Sequence, residues 1–279
     1  MDTSTSIHSQ TNHNGLFLSI VLLFTSLACL LPNRALSDEL PSIRFTFIPS
    51  VNTLDQQTIK EIRQTDALET VQALSDSTIN LAKPVNIVFG TQDGPLYDPE
   101  SNQIEIPYYF WREMIDHFSA DISDADEQSE LSESDNQYVF EAAEGALLHT
   151  LLHEIGHAYI AINQIPILGK EEDAADSFAN VLMLNFVENG DRQAIHAATL
   201  FAIEDQQIES FDDLDFIDEH SLDIQRYFYG LCLIFGSDPD KHETLFQDLE
   251  AEVKTEREDI CIEEFDRVSA SWESYLNNG

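Results

Sequence analysis

His153, Glu154 and His157 are the residues best suited to do chemistry. They form His-Glu-x-x-His inside the helix-forming run 150–159. Four residues is about one helical turn, so both imidazoles leave the same face. Two imidazoles on one face can bind one zinc ion, and Glu154 projects close by, where it can take a proton from a metal-bound water. Ile155, Gly156 and Ala158 are uncharged, so the helix can be buried with its metal face toward a cleft. A chain with nine His also meets this three-position pattern by coincidence, and a Glu between two His can be an ordinary solvated face. A third ligand separates these readings.

Fourteen residues lie between His157 and Glu172. Asn163 and Gln164 weaken the first helix, and Pro166 and Gly169 break it and turn the chain. A second helix begins at Glu171, Glu172 and Asp173, whose charges suit the positive end of the helix dipole, and residues 174–184 continue it with strong helix formers. Helices joined by a short connection pack as neighbours. A carboxylate near the start of the second can therefore reach the metal face of the first. Glu172 and Asp176 are four apart and share a face. Glu172 is the expected third ligand; Asp176 is expected to accept the other ring N–H of a ligand His, fixing its tautomer and raising its basicity. Two neutral His, one carboxylate and a fourth position open to water make a catalytic rather than a structural zinc site. The alternative is that these acids are only a charged helix start.

His153-Glu154-Ile155-Gly156-His157 followed by Glu172-Asp173-Ala174-Ala175-Asp176 resembles the gluzincin class of zinc metallopeptidases. The longer run, His-Glu-Ile-Gly-His-Ala and then Ile-Pro-Ile-Leu-Gly-Lys-Glu-Glu-Asp-Ala-Ala-Asp, is similar to a bacterial "putative metallopeptidase" family of unknown function. Leu96-Tyr97-Asp98-Pro99 with Ile104-Glu105-Ile106 resembles that family's upstream hairpin. Cys232, Phe235-Gly236-Ser237-Asp238-Pro239 and Cys261 resemble its C-terminal part. The resemblance covers about residues 44–278 and is highly specific only at 153–176. Many members carry cysteines flanking the hairpin; this chain has none there, so any cross-link they supply is missing. The resemblance implies an α+β, zincin-like (gluzincin) fold with a small antiparallel or mixed sheet, an active-site helix, a glutamate helix and a helical C-terminal lobe. It implies one bound zinc ion and supplies no substrate.

The chemistry that follows is metal-assisted hydrolysis of a peptide or protein substrate. Zinc lowers the pKa of its bound water to about 7 and polarises the scissile carbonyl. Glu154, as general base, takes the proton and passes it to the leaving amine. A second donor to the developing oxyanion is needed; His220, Tyr227 and Tyr229 are candidates, each also explicable as structural. His149 lies one turn before His153, behind the site or simply buried. His117, His196 and His242 have no evident partner. The rival reading is a non-catalytic secreted binding module that keeps a metalloprotease fold around a structural zinc. The intact Glu154 argues against it, because a structural site needs no base.

The elements that must position these residues are legible in outline. Residues 43–48 alternate as a strand, 55–81 carry a helical pattern, and 85–89 form a second strand. Residues 98–102 turn between 95–97 and 103–107, a hairpin. By analogy with gluzincins, 103–107 is expected to be the edge strand that borders the cleft and pairs with an extended peptide. Helices are expected at 108–119, 138–163, 171–188, 191–204, 220–235, 240–252 and 264–276.

Residues 1–37 read as a signal peptide: an apolar run at 16–31 too short for a comfortable span, then Ala35-Leu36-Ser37 before a cleavage site at Asp38. That places the protein in the periplasm or outside the cell. Residues 1–15 lack Lys and Arg, so an uncleaved membrane anchor at 16–31 stays open. The remainder, 38–279, is long enough for one metallopeptidase-like domain, with an upper lobe at about 38–163 and a helical lower lobe at about 164–279. Cys232 and Cys261 are expected to pair in an oxidising space, contributing about 3–4 kcal/mol in the chain-entropy account; the alternative is two buried thiols. A net charge of −39 excludes nucleic acid and anionic lipid as partners and attracts metals and basic peptides. Residues 121–136 hold seven acids and no base and read as a mobile surface insertion.

Overall fold

Ile43, Phe45 and Phe47 turn inward and Arg44 and Thr46 outward, the period of a half-buried strand, β1 (Ile43–Phe47). The computed structural model describes residues 42–276 apart from 126–130, 209, 212, 214, 215 and 248. After β1 come α1 (Thr53–Ile62), α2 (Ala67–Ser77), β2 (Val85–Phe89), β3 (Leu96–Asp98), β4 (Gln103–Ile106), α3 (Tyr108–Ala125) and α4 (Glu133–Asn163). The rest is helical: α5 (Glu171–Phe186), α6 (Gly190–Gln206), α7 (Asp223–Ser237) and α8 (Ala251–Leu276). The class is α+β, and the described residues form one compact unit. The expected signal peptide lies outside the described residues. Among the described residues, no helix is long and apolar enough to cross a membrane.

The sheet is mixed, in the order β1-β2-β4-β3. Both β1–β2 and β2–β4 are parallel, and β3–β4 is the antiparallel hairpin. Its turn is held by Asp98, whose carboxylate accepts from the backbone of Glu100 and Ser101, and by Asn102 at φ 55°. β4 is therefore interior, paired on both sides, and the expectation that 103–107 is the free edge is corrected. The edges are β1 and three-residue β3, and β3 packs against α4. Sequence period sets which side of a strand is buried but not its place in the sheet.

Other boundaries move for local reasons. The helix expected over 55–81 is two. Thr65 donates its hydroxyl to Ile62 O at 2.7 Å, and the chain turns before α2. The acidic insertion is shorter than 121–136. Residues 121–125 finish α3, and Ser132 starts α4 through a capping box in which Asp135 reaches back to the Ser132 N–H at 2.8 Å; 126–130 lie outside the described residues. Most of the helix expected at 240–252 is turn, with Asp238 accepting from Lys241 N. The last helix begins at Ala251 instead of 264; its buried residues, Cys261, Ser269, Trp272 and Leu276, are too sparse to mark its first two turns.

α4 is the axis of the fold. Seventeen of its 31 residues are buried, so it is a core helix rather than an amphipathic surface one. It packs on α2, α3, α5 and α6. The core runs from Ile87, Phe89, Ile104 and Ile106 of the sheet through Trp111 and Phe118 of α3 to Leu147, Leu151 and Ile155 of α4. The C-terminal helices close the other side. Cys232 and Cys261 form a disulfide between α7 and α8. Trp272 of α8 donates its indole N–H to Ser177 of α5 at 2.9 Å and meets Phe178 edge-on.

Replacing both cysteines by Ser should lower unfolding stability by about 3–4 kcal/mol. Urea denaturation checks it, and reductant should reproduce the loss in the unaltered protein but leave the double variant unchanged.

Candidate metal centre

The two histidines sit in the last third of α4, and two local features bring α5 against them. Gln164 ends α4 in the left-handed conformation (φ 55°), which turns the chain toward α5. Gly156, between the histidines in sequence, faces α5. A Cβ there would lie 3.2 Å from both Ala175 Cα and Phe178 Cδ1, so the missing side chain permits the close approach. The first turn of α5 is thereby laid across the imidazoles.

Three donor atoms converge. His153 Nε2, His157 Nε2 and Glu172 Oε2 lie 3.2 Å from one another in all three pairs. These residues form a group able to hold a metal ion. Each imidazole has a carboxylate behind it. His153 Nδ1 is 2.7 Å from Asp176 Oδ1, and His157 Nδ1 is 2.9 Å from Glu171 Oε1. An Nδ1 that donates to a carboxylate carries the ring proton there, which leaves the Nε2 lone pair pointing inward. Glu154 is buried one residue beyond His153 and, among the described residues, makes no side-chain hydrogen bond that would tie up its carboxylate.

Sequence reasoning did not find Arg226. From α7 its Nε donates to Asp176 Oδ2 at 2.8 Å and its Nη2 to Asp176 Oδ1 at 2.9 Å, a bidentate clamp. The guanidinium also lies 3.9 Å above the Phe201 ring of α6. Nor was Glu171 assigned to His157. No signal marked either: Arg226 is 50 residues from Asp176, and Glu171 is one acid among three at a helix start. His149 is buried one turn before His153. Its Nε2 faces Asn180 Nδ2 at 3.3 Å, and its ring packs on Phe201.

Of the candidates for a further donor, His220 is brought to the cluster. Its Nε2 is 2.9 Å from Glu172 Oε2, and its ring stacks 6.3 Å from that of His153. Among the described residues, no hydrogen bond links Tyr227 or Tyr229 to the cluster; Tyr227 packs on Phe228. His117 lies by Glu204, His196 against Tyr138, and His242 by Asp191; among the described residues none of the three is bonded to the cluster.

The charges are strongly coupled. Burial opposes the charge on His153, but Asp176 and Glu172 outweigh it and lift its pKa to about 9. His157 is raised likewise, against burial, by Glu172 and Glu171. Burial pushes Glu172 up, yet its bonds to His153, His157 and His220 hold it well below the usual carboxylate range. Asp176 is also depressed, Arg226 overcoming its burial. Glu154 differs: burial dominates and keeps its carboxyl raised despite the nearby histidines. Burial pushes His149 down to about 4, so that ring is neutral.

The chain matches the model of a family described as "putative metallopeptidase" over residues 48–276. Comparison with curated proteins and with solved structures returns no match.

A metal ion needs both Nε2 atoms unprotonated, so proton and metal compete for them. In chelator-treated protein the raised His153 contributes stability that is fully present below its ordinary value of 6.5 and is lost as pH rises through about 9. The depressed Asp176 contributes above its ordinary value of 3.8, a contribution lost on acidification. The melting temperature should therefore fall between about pH 6.5 and pH 9 with chelator, and metal should reverse most of that fall. A chelated protein whose melting point stays flat over that range would contradict the coupling. Arg226→Met should weaken metal binding by about 10–100-fold in chelator competition, with Arg226→Lys recovering part of it.

Proposed function

The chain belongs to the metallopeptidase family whose model it matches, and from that premise we propose that it is a zinc-dependent peptidase of gluzincin type. The observation that carries this is the triangle of His153 Nε2, His157 Nε2 and Glu172 Oε2, each 3.2 Å from the next. Four ligands arranged tetrahedrally about zinc at about 2.0–2.1 Å are separated by about 3.3 Å, so the three donors match one face of that tetrahedron. Nitrogen and carboxylate donors in a two-to-one ratio suit zinc, and carboxylates behind both imidazoles suit a site built to hold it.

Zinc, when bound, supplies Lewis acidity that lowers the pKa of a coordinated water to about 7 and polarises a substrate carbonyl. His153, His157 and Glu172 would hold it; Asp176 and Glu171 keep the imidazoles oriented. Glu154 is the general base. Burial raises its carboxyl, which favours accepting a proton at an Oε atom and passing it on to the leaving amine. His220, half exposed beside Glu172, is the donor best placed to meet negative charge developing on the substrate oxygen. The mixed sheet on one side of α4 and α5–α8 on the other fit the two-lobed plan of a gluzincin, with β3 as the strand nearest α4. The Cys232–Cys261 disulfide supports export to an oxidising compartment, with residues 1–37 as the signal.

Elemental analysis of the purified 38–279 chain should give one zinc per chain, and Glu172→Ala should lose most of it. Full retention in Glu172→Ala would remove that residue from the ligand set. Glu154→Gln should keep the metal and lose peptide turnover by about a hundredfold or more. Zinc retained by the unaltered chain with no cleavage in a peptide-library digest would instead favour a binding module.

A further inference from the structure

The segment between α6 and α7 reaches the metal centre through His220, and its composition is unlike its surroundings. Residues 207–222 carry six acids and no Lys or Arg, with large apolar residues interleaved. The segment is moored at the start of α5. Lys170 Nζ donates to the carbonyls of Asp218 and His220 at 3.2 and 2.8 Å, Ser221 donates to Asp173 at 2.7 Å, and His220 meets Glu172. Just before these moorings the apolar side chains face solvent. Phe216 is 64% exposed and Ile217 76%, with Phe211 6.1 Å from Phe216 between ring centroids.

We propose that Phe211, Phe216 and Ile217 form a docking platform for a cationic peptide substrate with a bulky apolar residue, an inference that rests on the peptidase function above. Large apolar side chains held in water beside a catalytic centre gain by being covered. What covers them is set by the border. Asp213, Asp218 and Glu219 are exposed around the platform, and Glu171 is half exposed next to the metal ligands. Lys170, beside these acids, is already committed to backbone carbonyls. An acidic peptide meets repulsion here, and a neutral one gains only apolar burial. A peptide with Lys or Arg beside Phe or Leu satisfies both features, and its charge is attracted by a chain at −39. Self-association is disfavoured on the same ground, since a second copy would bring the same acidic border against it.

Two fluorogenic peptide pairs test this, each pair differing by Phe or Ser at one position, one pair flanked by Lys and one by Glu. The zinc-loaded protein is compared with Phe216→Ser/Ile217→Ser, a change at exposed positions whose folding is checked by melting temperature and zinc content. The Lys-flanked Phe peptide is expected to have the lowest KM. The double variant should raise that KM about tenfold or more with kcat little changed, collapsing the Phe-to-Ser ratio. The advantage of Lys over Glu flanks should shrink in high salt. Anisotropy of the labelled Lys-flanked Phe peptide on Glu154→Gln reads docking without turnover. Binding there that the double variant abolishes, with no cleavage by the unaltered chain, would sustain the platform and overturn the peptidase function. Equal KM values for Phe and Ser peptides, or a ratio untouched by the double variant, would overturn the platform. So would sedimentation showing a dimer that Phe216→Ser/Ile217→Ser dissolves.

Discussion

The carboxylate of Asp176 is the interaction on which the rest depends. It is buried, and a buried charge is tolerated only when paired and hydrogen-bonded on every side. Its partners come from two helices: the Nδ1–H of His153 on α4 and the guanidinium fork of Arg226 on α7. Arg226 in turn covers Phe201 of α6, so four helices meet at one carboxylate. Such a cluster is a poor way to gain stability, because desolvating the charges consumes most of their attraction. It is a good way to fix a ring. With Nδ1 held, the Nε2 of His153 has one direction and the neutral ring one tautomer, and the donor triangle with His157 and Glu172 becomes a property of the fold rather than of a mobile side chain.

What was legible in the sequence follows from distance along the chain. His153, His157, Glu172 and Asp176 fall on two consecutive helices, so helical period and one short connection suffice to bring them together, and the structure does so. The Cys232–Cys261 pairing was one of two open readings, and the disulfide forms. Arg226 was illegible because nothing local distinguishes it from any other surface arginine until α7 is folded against α5. Glu171 was hidden by its neighbours; three acids at a helix start look alike until the helix phase decides which faces His157. Strand order failed for a similar reason. Residues 103–106 have the period of a strand wherever they lie, and the parallel pairing to β2 that makes β4 interior is a long-range event.

The acidic composition also changes meaning with the fold. Much of it is ordinary solvated surface, as on α8. At the N-terminus of α5 the acids do three things within one turn. Glu171 and Glu172 face the two imidazoles, Asp173 receives Ser221, and all three lie at the positive end of the helix. The helix dipole thus favours the charge that the histidines need opposite them.

The C-terminal helices, far from the His-Glu-x-x-His run in sequence, complete the positioning. Arg226 is six residues before Cys232, about 9 Å along α7. The disulfide pins that part of α7 to α8, and α8 is pinned to α5 by Trp272 on Ser177, one residue from Asp176. The circuit closes on itself: α5 carries the carboxylate, α7 carries the arginine that clamps it, and α8 ties α7 back to α5. A loop of this kind resists the small relative shifts of helices that would separate Arg226 from Asp176, because moving either helix strains a covalent bond or unseats a buried indole. The helical half of the molecule therefore acts as the brace that holds the donor atoms of two helices 3.2 Å apart.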